Sequence, residues 1–172
     1  YAIQLLKHWG AHVATIVSTR NVALVKELGA DVVIDRTNDD FADHLHDYDV
    51  AFDTAFDTES RLLKALKTNA DAVYVSVVTP KLFLIDKLGL ENGLKEGEKV
   101  FRERTEEQAK LGRRYAWSFM QPDGAALREI ATLFEQGAIR AIIDSAFPLS
   151  ELPAAHERSE SGQVSGKIVI DV

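Results

Sequence analysis

The sequence predicts an α/β fold: a doubly wound, mostly parallel β-sheet with helices on both of its faces. Apolar residues three and four positions apart, the period of an amphipathic helix, alternate along the chain with short apolar runs rich in valine and isoleucine. Strands that alternate with helices require crossover connections, which place consecutive strands parallel. The chain has 172 residues, 46% of them hydrophobic, enough to bury one sizeable core.

The first half of the chain alternates helix and strand patterns without interruption. Helices are predicted over residues 2–9, 22–28, 41–45 and 59–66, and strands over residues 12–17, 31–34, 49–52 and 72–78. Gly10 and Gly29 directly follow the first two helices, at the position where glycine commonly ends a helix. The last of the four strands is rich in valine, as expected for a strand buried on both faces of a parallel sheet.

The second half is less regular. After Thr79 and Pro80 an apolar stretch carries Gly89, Gly93 and Gly97, and we predict a loop or lid with a short helix there. The remaining predictions are a surface helix over residues 98–111, a strand from Tyr115 to Met120, a helix over residues 124–134, an extended segment over residues 139–143, a turn over residues 148–153, a helix over residues 154–159 and a last strand over residues 167–172.

Charge and composition exclude several classes of function. The chain has 20 basic and 27 acidic residues and a formal charge of -7, so we expect no nucleic-acid partner. Its densest basic cluster, Lys110, Arg113 and Arg114, adjoins an acidic stretch and is interpreted as a solvated helix face. No apolar run reaches the roughly 18 residues that a membrane span requires, so we expect no membrane partner.

The chain has no cysteine, which excludes disulfides, thiolate zinc sites and a cysteine nucleophile. The absence of cysteine leaves the redox compartment open, and the cytoplasm is the favoured location. No cleaved leader is expected, since the first residues lack a charged segment followed by an apolar one. His44 and His46 are two positions apart on a predicted helix and would point to different faces, so no metal site is expected.

Polar and small residues follow the predicted strands. They are Ser18, Thr19 and Arg20 after the first strand, Arg36 after the second, Thr54 and Ala55 after the third, and Val77, Val78 and Thr79 after the fourth. Ligands of open parallel sheets bind beyond the carboxyl ends of the strands. Small residues let the backbone approach a flat ligand, while hydroxyl and guanidinium groups can bind sugar and phosphate oxygens.

Ser18, Thr19 and Arg20 favour NADP over NAD. A domain that prefers NAD usually has an aspartate or glutamate here, which accepts from the ribose 2′-hydroxyl, and this sequence has no carboxylate there. Hydroxyls and a guanidinium would instead bind a 2′-phosphate. The alternative is that Arg20 only precedes a surface helix whose N-cap is Ser18 or Asn21.

An aspartate at a strand end offers a second hypothesis. Asp53, with Ser76 and Lys81, could form the phosphoacceptor site of a signalling receiver, but the acidic pair that would bind magnesium does not follow Val17. No catalytic residue is assigned: Ser118 lacks the glycine-rich turn that surrounds a nucleophilic serine. The G-x-G-x-x-G turn of dinucleotide-binding folds is also absent, so either the fold prediction is wrong or the chain begins downstream of that motif.

Several blocks of the sequence carry a family resemblance. The first block, YAIQLLKHWGAHVATIVSTRN, resembles the phosphate-binding helix and second strand of the medium-chain dehydrogenase/reductase superfamily. The chain is most similar to its quinone-oxidoreductase branch and to reticulon-4-interacting-protein-like, zinc-independent reductases. The likeness continues through KELGADVVID, DVAFDT, AVYVSVVTP, RRYAWSFM and IRAIIDSAFPLSELPAAHERSESGQVSGKIVIDV, and so covers nearly the whole chain.

The resemblance implies a Rossmann-type fold whose first strand, glycine-rich motif and N-terminal catalytic domain are missing from the chain. Residues 1–147 would be the truncated nucleotide-binding domain, and residues 148–172 a segment that in the family returns to the catalytic domain. We expect a truncated or proteolysed product, or a second copy that fills the gap, and little turnover by the isolated chain.

The implied activity is metal-independent hydride transfer from NADPH to a small-molecule substrate, either a quinone or another activated carbonyl or alkene. The alternative is a non-catalytic module that binds a dinucleotide for sensing. In the family, chemistry comes from the nicotinamide, while the protein supplies orientation and a pocket that excludes water.

The resemblance also assigns residues by position. Ser18 would bind the 2′-phosphate, Val77 would lie at the nicotinamide ribose, Ser118 and Met120 would face the nicotinamide, and Gln163, Val164 and Ser165 would form a late turn toward the cofactor.

Two positions depart from the family pattern. Arg36 replaces the usual tyrosine and is either a second phosphate ligand or solvated. Thr54, Ala55 and Phe56 replace the usual V-G. A homodimer through the strand from Tyr115 to Met120 is expected, with Trp117 either at its interface or in the core.

Overall fold

A computed structural model describes residues 1–37 and 44–172 and contains two compact units. The first consists of Tyr1–Asn38 and Asp123–Val172, and the second of Asp39–Pro122. The helix predicted over residues 41–45 lies largely outside the described residues. Within the described ranges, none of the helices has the length and apolarity that crossing a membrane requires.

Helices and strands alternate as the sequence predicts. The strands are β1 (Ala14–Val17), β2 (Val32–Asp35), β3 (Val50–Asp53), β4 (Ala72–Ser76), β5 (Arg113–Trp117), β6 (Ile143–Pro148) and β7 (Lys167–Asp171). The helices are α1 (Ala2–His8), α2 (Val22–Glu27), α3 (Glu59–Ala65), α4 (Lys81–Leu88), α5 (Leu90–Ala109), α6 (Gly124–Glu135) and α7 (Leu152–Glu160). Paired strands are parallel throughout, which confirms the predicted α/β class.

In the first unit, β1 pairs with β2 and β6 pairs with β7. Gly10 and Gly29 follow α1 and α2 with φ of 77° and 98°, a left-handed conformation that glycine adopts without strain. The Asp31 carboxylate accepts hydrogen bonds from the Val13 amide and the Lys7 ammonium, at 2.7 Å each. These contacts hold the turns that precede β1 and β2 together.

The extended segment predicted over residues 139–143 is wrong. Ala138 and Ile139 donate their amides to the Leu133 carbonyl and so complete the end of α6, and Ile139 is buried. The strand β6 begins only at Ile143, although the Ile142 carbonyl already accepts from the Lys167 amide of β7 at 2.8 Å. The predicted boundary between residues 147 and 148 falls inside β6, and the domain division stays a prediction.

The second unit is a three-stranded parallel sheet with β4 at its centre, paired to β3 and β5. Its core cluster contains five buried residues: Ala51, Leu66, Ala72, Tyr74 and Tyr115. The rings of Tyr74 and Tyr115 stack with centroids 5.0 Å apart. Trp117 packs against this cluster and donates its indole N–H to the Tyr115 hydroxyl, so it serves the core; its role in a dimer stays a prediction.

The loop or lid predicted after Pro80 is wrong, because the segment forms two packed helices, α4 and α5. Gly93 and Gly97 lie inside α5 and are buried against α4. A Cβ atom on Gly93 would lie 2.4 Å from the Ile85 Cα atom, so only glycine permits this approach of the two backbones. The four-residue spacing of the glycines, which predicted a loop, instead places Gly93 and Gly97 on the side of α5 that faces α4.

The basic cluster near residue 113 is also not a helix face. Arg113 belongs to β5, and its guanidinium donates to the main-chain carbonyls of Leu63, Leu66 and Lys67 at the end of α3. Arg114 pairs with Asp71 at 3.0 Å. The final carbonyls of a helix lack partners within the helix, and Arg113 supplies donors to them.

Candidate functional site

The carboxyl edge of the β1–β2 pair brings Ser18 and Arg36 side by side. The two strands end in register at Val17 and Asp35, and each residue directly follows one of them. The Arg36 amide donates to the Val17 carbonyl at 2.9 Å, which extends the ladder by one step. Ser18 is half-buried and Arg36 is exposed. The structure therefore brings these two predicted residues to one edge of the β1–β2 pair.

Residues 18–21 form the β1 corner, a short 3-10 turn between β1 and α2. Among the described residues, neither Ser18 nor Asn21 makes a side-chain capping bond, so the alternative N-cap interpretation finds no support. The corner contains no carboxylate, and the nearby Asp35 side chain accepts from the Thr37 amide at 3.0 Å. A hydroxyl and a guanidinium thus remain for a ligand.

The late turn, residues 161–166, contacts the β1 corner through two hydrogen bonds. The Arg20 guanidinium donates to the Gly162 carbonyl at 2.9 Å, and the Ser165 hydroxyl donates to the Asn21 side-chain oxygen at 2.6 Å. Gln163 and Val164 lie on the same turn between these contacts. Segments separated by more than 140 positions in sequence therefore meet at one place. The approach of this turn to a cofactor stays a prediction.

Asp144 on β6 is the anchor of the late turn. Its carboxylate accepts two hydrogen bonds from the Arg158 guanidinium, at 2.8 and 2.9 Å, and one from the Ser165 amide at 3.0 Å. Only 9% of its side chain is exposed. The Arg158 guanidinium, followed by the Ser165 N–H, holds the pKa of Asp144 far below its usual range, so the group stays ionised.

A second carboxyl edge lies in the other unit, where three strands end in register. Asp53, Ser76 and Trp117 are aligned across β3, β4 and β5, so Thr54, Val77 and Ser118 are neighbours just beyond them. The Val77 amide donates to the Asp53 carbonyl and the Ser118 amide to the Ser76 carbonyl. The second group of predicted site residues thus shares this edge.

Buried polar groups fix the backbone at the second edge. One oxygen of the Asp53 carboxylate accepts from the Ala55 amide at 3.1 Å and the Thr58 hydroxyl at 2.6 Å, and the other from the Tyr74 hydroxyl at 2.7 Å. Asp53 is only 3% exposed, so it is not an accessible phosphoacceptor and the receiver hypothesis is wrong. Its role is to hold the loop that contains Thr54 and Ala55.

The surface beside this edge is apolar. Met120 is 97% exposed, and Phe119 lies under the Lys81 ammonium, with 5.4 Å between the nitrogen and the ring centroid. The Ser76 hydroxyl bonds both the amide and the carbonyl of Val78, which fixes the start of the segment leading to Thr79. A flat, partly apolar ligand could lie against such a surface.

The structure therefore groups the predicted residues into two sets. Ser18, Thr19, Arg20, Arg36, Gln163, Val164 and Ser165 belong to the first unit; Thr54, Ala55, Val77, Val78, Thr79, Ser118 and Met120 belong to the second. Asp144 and Arg158 were not predicted. Their pairing joins a strand to a helix 14 positions later, and no local motif in the sequence indicates it.

A protein-family model described as zinc-binding dehydrogenase matches residues 28–170. The chain belongs to the zinc-binding dehydrogenase family. The resemblance inferred from the sequence blocks is therefore confirmed. Within the described residues of this dehydrogenase chain, no group of three or more His, Asp or Glu side chains could hold a metal ion. Metal independence of the whole enzyme stays a prediction.

Individual relatives agree with this family. The chain is 37% identical to NAD(P)H oxidoreductase RTN4IP1, mitochondrial, from Mus musculus, over 100% of the chain and 44% of the relative. It is 28% identical to the trans-enoyl reductase pgmF of Aspergillus terreus, over 100% of the chain and 48% of the relative. The dehydrogenase chain thus spans less than half the length of these relatives.

The solved structure of the quinone oxidoreductase from Coxiella burnetii has the same fold. It superposes with a TM-score of 0.75 at 28% identity, over 99% of this chain and 48% of that one. The predicted Rossmann-type fold is therefore confirmed.

The predicted cytoplasmic location is wrong by these comparisons. The relatives from Mus musculus, Danio rerio and Homo sapiens are all named as mitochondrial proteins. The prediction relied on the absence of cysteine, which excludes disulfides but does not distinguish one reducing compartment from another.

Proposed function

We propose that this chain binds the NADPH of an oxidoreductase that transfers hydride to a quinone or another activated carbonyl or alkene. The β1 corner and Arg36, both in the first unit, would bind the adenosine 2′-phosphate. The nicotinamide supplies the hydride, and no metal takes part in the proposed reaction. The residues of this chain bind and orient the cofactor.

The observation that carries the proposal is the donor set at the β1 corner. Arg20 gives one of its five N–H donors to the Gly162 carbonyl, which leaves others for an anion. The Ser18 hydroxyl lies at the same carboxyl edge, and the corner itself contains no carboxylate that would repel a phosphate. A guanidinium binds phosphate oxygens through strong, charge-assisted hydrogen bonds.

The relatives support the general type of reaction. Their names include an NAD(P)H oxidoreductase, a trans-enoyl reductase and a quinone oxidoreductase. The last two names specify an acceptor, an enoyl group and a quinone, and each of these takes up two electrons when it is reduced. The exposed side chains of Phe119 and Met120 beside the second edge suit a flat, apolar acceptor.

The cofactor preference is tested by equilibrium binding of NADPH and NADH to the full-length natural protein. We expect the wild type to bind NADPH at least tenfold more tightly. Arg20→Ala should weaken NADPH binding roughly 10- to 150-fold, since a charge-assisted hydrogen bond contributes roughly 1.5–3 kcal/mol, and should leave NADH binding within twofold. Arg128→Ala, an exposed arginine on α6, is the matched control and should change neither affinity.

Equal binding of the two cofactors by the wild type, or an equal loss of both in Arg20→Ala, would contradict the proposal. Turnover is tested separately by following NADPH oxidation with a soluble benzoquinone and with an α,β-unsaturated ketone. Tight NADPH binding without oxidation by either acceptor would instead favour the non-catalytic sensing module.

A further inference from the structure

The backbone of the late turn is closely packed. The turn lies between α7 and β7 and contains Gly162 and Gly166, with φ of 64° and 130°. A Cβ atom on Gly166 would lie 2.4 Å from the Ile142 carbonyl oxygen. The turn is therefore packed closely against the segment that leads into β6, and a residue with a side chain would not fit at Gly166 without a shift.

The Asp144–Arg158 ion pair fixes the rest of the turn. Besides its two bonds to Asp144, the Arg158 guanidinium lies 3.4 Å from the Gln163 carbonyl oxygen. The Ser165 amide donates to Asp144 Oδ1, the oxygen that also accepts from Arg158 Nη2. One carboxylate thus connects the helix before the turn with the residue near its end, and the turn is restrained from both sides.

Two groups of the late turn contact the β1 corner. The Gly162 carbonyl accepts from the Arg20 guanidinium, and the Ser165 hydroxyl donates to the Asn21 side-chain oxygen. A long arginine side chain loses up to about 2 kcal/mol of rotamer freedom when it is ordered, so an arginine that is already oriented binds its ligand with a smaller entropic loss. The turn pre-orders the guanidinium that would meet the phosphate.

We infer that Asp144 is a positioning residue for the adenosine-phosphate site, acting through Arg158 and the late turn to orient Arg20. This inference rests on the proposed function and adds a determinant of cofactor preference. Asp144 does not contact the cofactor in this account. Its effect on binding passes through hydrogen bonds to the turn and from the turn to the β1 corner.

The Asp144→Asn variant tests the inference because an amide cannot replace both carboxylate oxygens as an acceptor. One Asp144 oxygen faces Arg158 Nε, and the other faces an Arg158 terminal nitrogen and the Ser165 amide. In either amide orientation an N–H group meets an N–H group. We expect about a fivefold loss of NADPH affinity in the full-length protein, with NADH affinity unchanged within twofold.

Two further variants separate positioning from general damage. Glu27→Gln is the matched control, since it removes the acidic partner of Arg140 in the same unit outside the corner and should leave both affinities unchanged. Ser165→Ala removes only the hydroxyl bond to Asn21 and should lower the ratio of NADPH to NADH affinity in the same direction as Asp144→Asn. If Asp144→Asn does not fold, the affinity ratio of Ser165→Ala alone tests whether the late turn affects cofactor preference.

A double-mutant cycle tests the route through Arg20. In an Arg20→Ala background, Asp144→Asn should cause no further change in the NADPH to NADH affinity ratio, because the group that it positions is gone. An unchanged ratio in both Asp144→Asn and Ser165→Ala would overturn the inference while a wild-type preference for NADPH keeps the proposed function. A wild type without that preference would overturn both.

Discussion

The close contact between α4 and α5 at Gly93 gives a stability prediction whose size follows from the structure. A Cβ atom there would lie 2.4 Å from Ile85 Cα and 2.5 Å from Ile85 N, whereas unstrained carbon contacts are about 3.5–4.0 Å. The α4 backbone would have to retreat by roughly 1 Å. Gly93→Ala should therefore incur an overpacking cost of about 1–3 kcal/mol, offset by about 1 kcal/mol of helix propensity.

Gly97 on the same helix supplies the control. The nearest atom to a Cβ at Gly97 is the Lys81 Cγ, 3.4 Å away, and this flexible side chain can move. Gly97→Ala should therefore be neutral or stabilise the protein by up to about 1 kcal/mol. Urea unfolding followed by circular dichroism measures both variants. A Gly93→Ala protein as stable as Gly97→Ala would refute the packing described for α4 and α5.

Three further predictions concern Asp53, Tyr74 and Gly166. Asp53→Asn should lower the free energy of unfolding by about 2–3 kcal/mol, because a buried acceptor of several hydrogen bonds is lost, whereas exposed Asp57→Asn should be neutral; equal urea midpoints would contradict this. Burial, then Asp53, raises the pKa of Tyr74, so its stabilising effect is complete below about pH 10 and is lost as the pH rises through the folded-state pKa. A Tyr74 phenolate in the folded protein at pH 10, detected by its absorbance difference from Tyr74→Phe, would refute that shift. Gly166→Ala should destabilise by about 1–3 kcal/mol, since its Cβ would meet the Ile142 carbonyl; a wild-type melting temperature would argue against it.

Most elements of this fold could be predicted because their signals are local. The helix predicted over residues 22–28 is found at Val22–Glu27, and the strand predicted over residues 31–34 at Val32–Asp35. Periodicity and terminal glycines are properties of a few neighbouring residues, so sequence alone reveals them. Once the strands were located, the residues beyond their carboxyl ends followed directly.

The errors occur where tertiary contacts override local signals. Gly93 and Gly97 were interpreted as chain breakers, yet both lie inside α5, and Gly93 permits the close approach of α4. Ile139 has the character of a strand residue but fills the core beside α6. Arg113 belongs to a basic cluster in sequence but caps α3, a helix that ends nearly 50 positions earlier.

The candidate site shows the same division. Ser18 and Arg20 were proposed as ligands because they directly follow a strand, and Ser165 because its sequence block resembles the family. Asp144 and Arg158 were missed because their contact joins β6 to α7, and an acid and a base 14 positions apart have no recognisable spacing. Long-range ion pairs of this kind become visible only in three dimensions.

A crystal structure of the full-length protein with NADPH would show where the cofactor's phosphate binds. We expect the adenosine 2′-phosphate to lie within hydrogen-bond distance of the Ser18 hydroxyl and the Arg20 guanidinium, with the late turn beside it. A 2′-phosphate bound away from the β1 corner, in contact with neither side chain, would show that this corner is not the phosphate site.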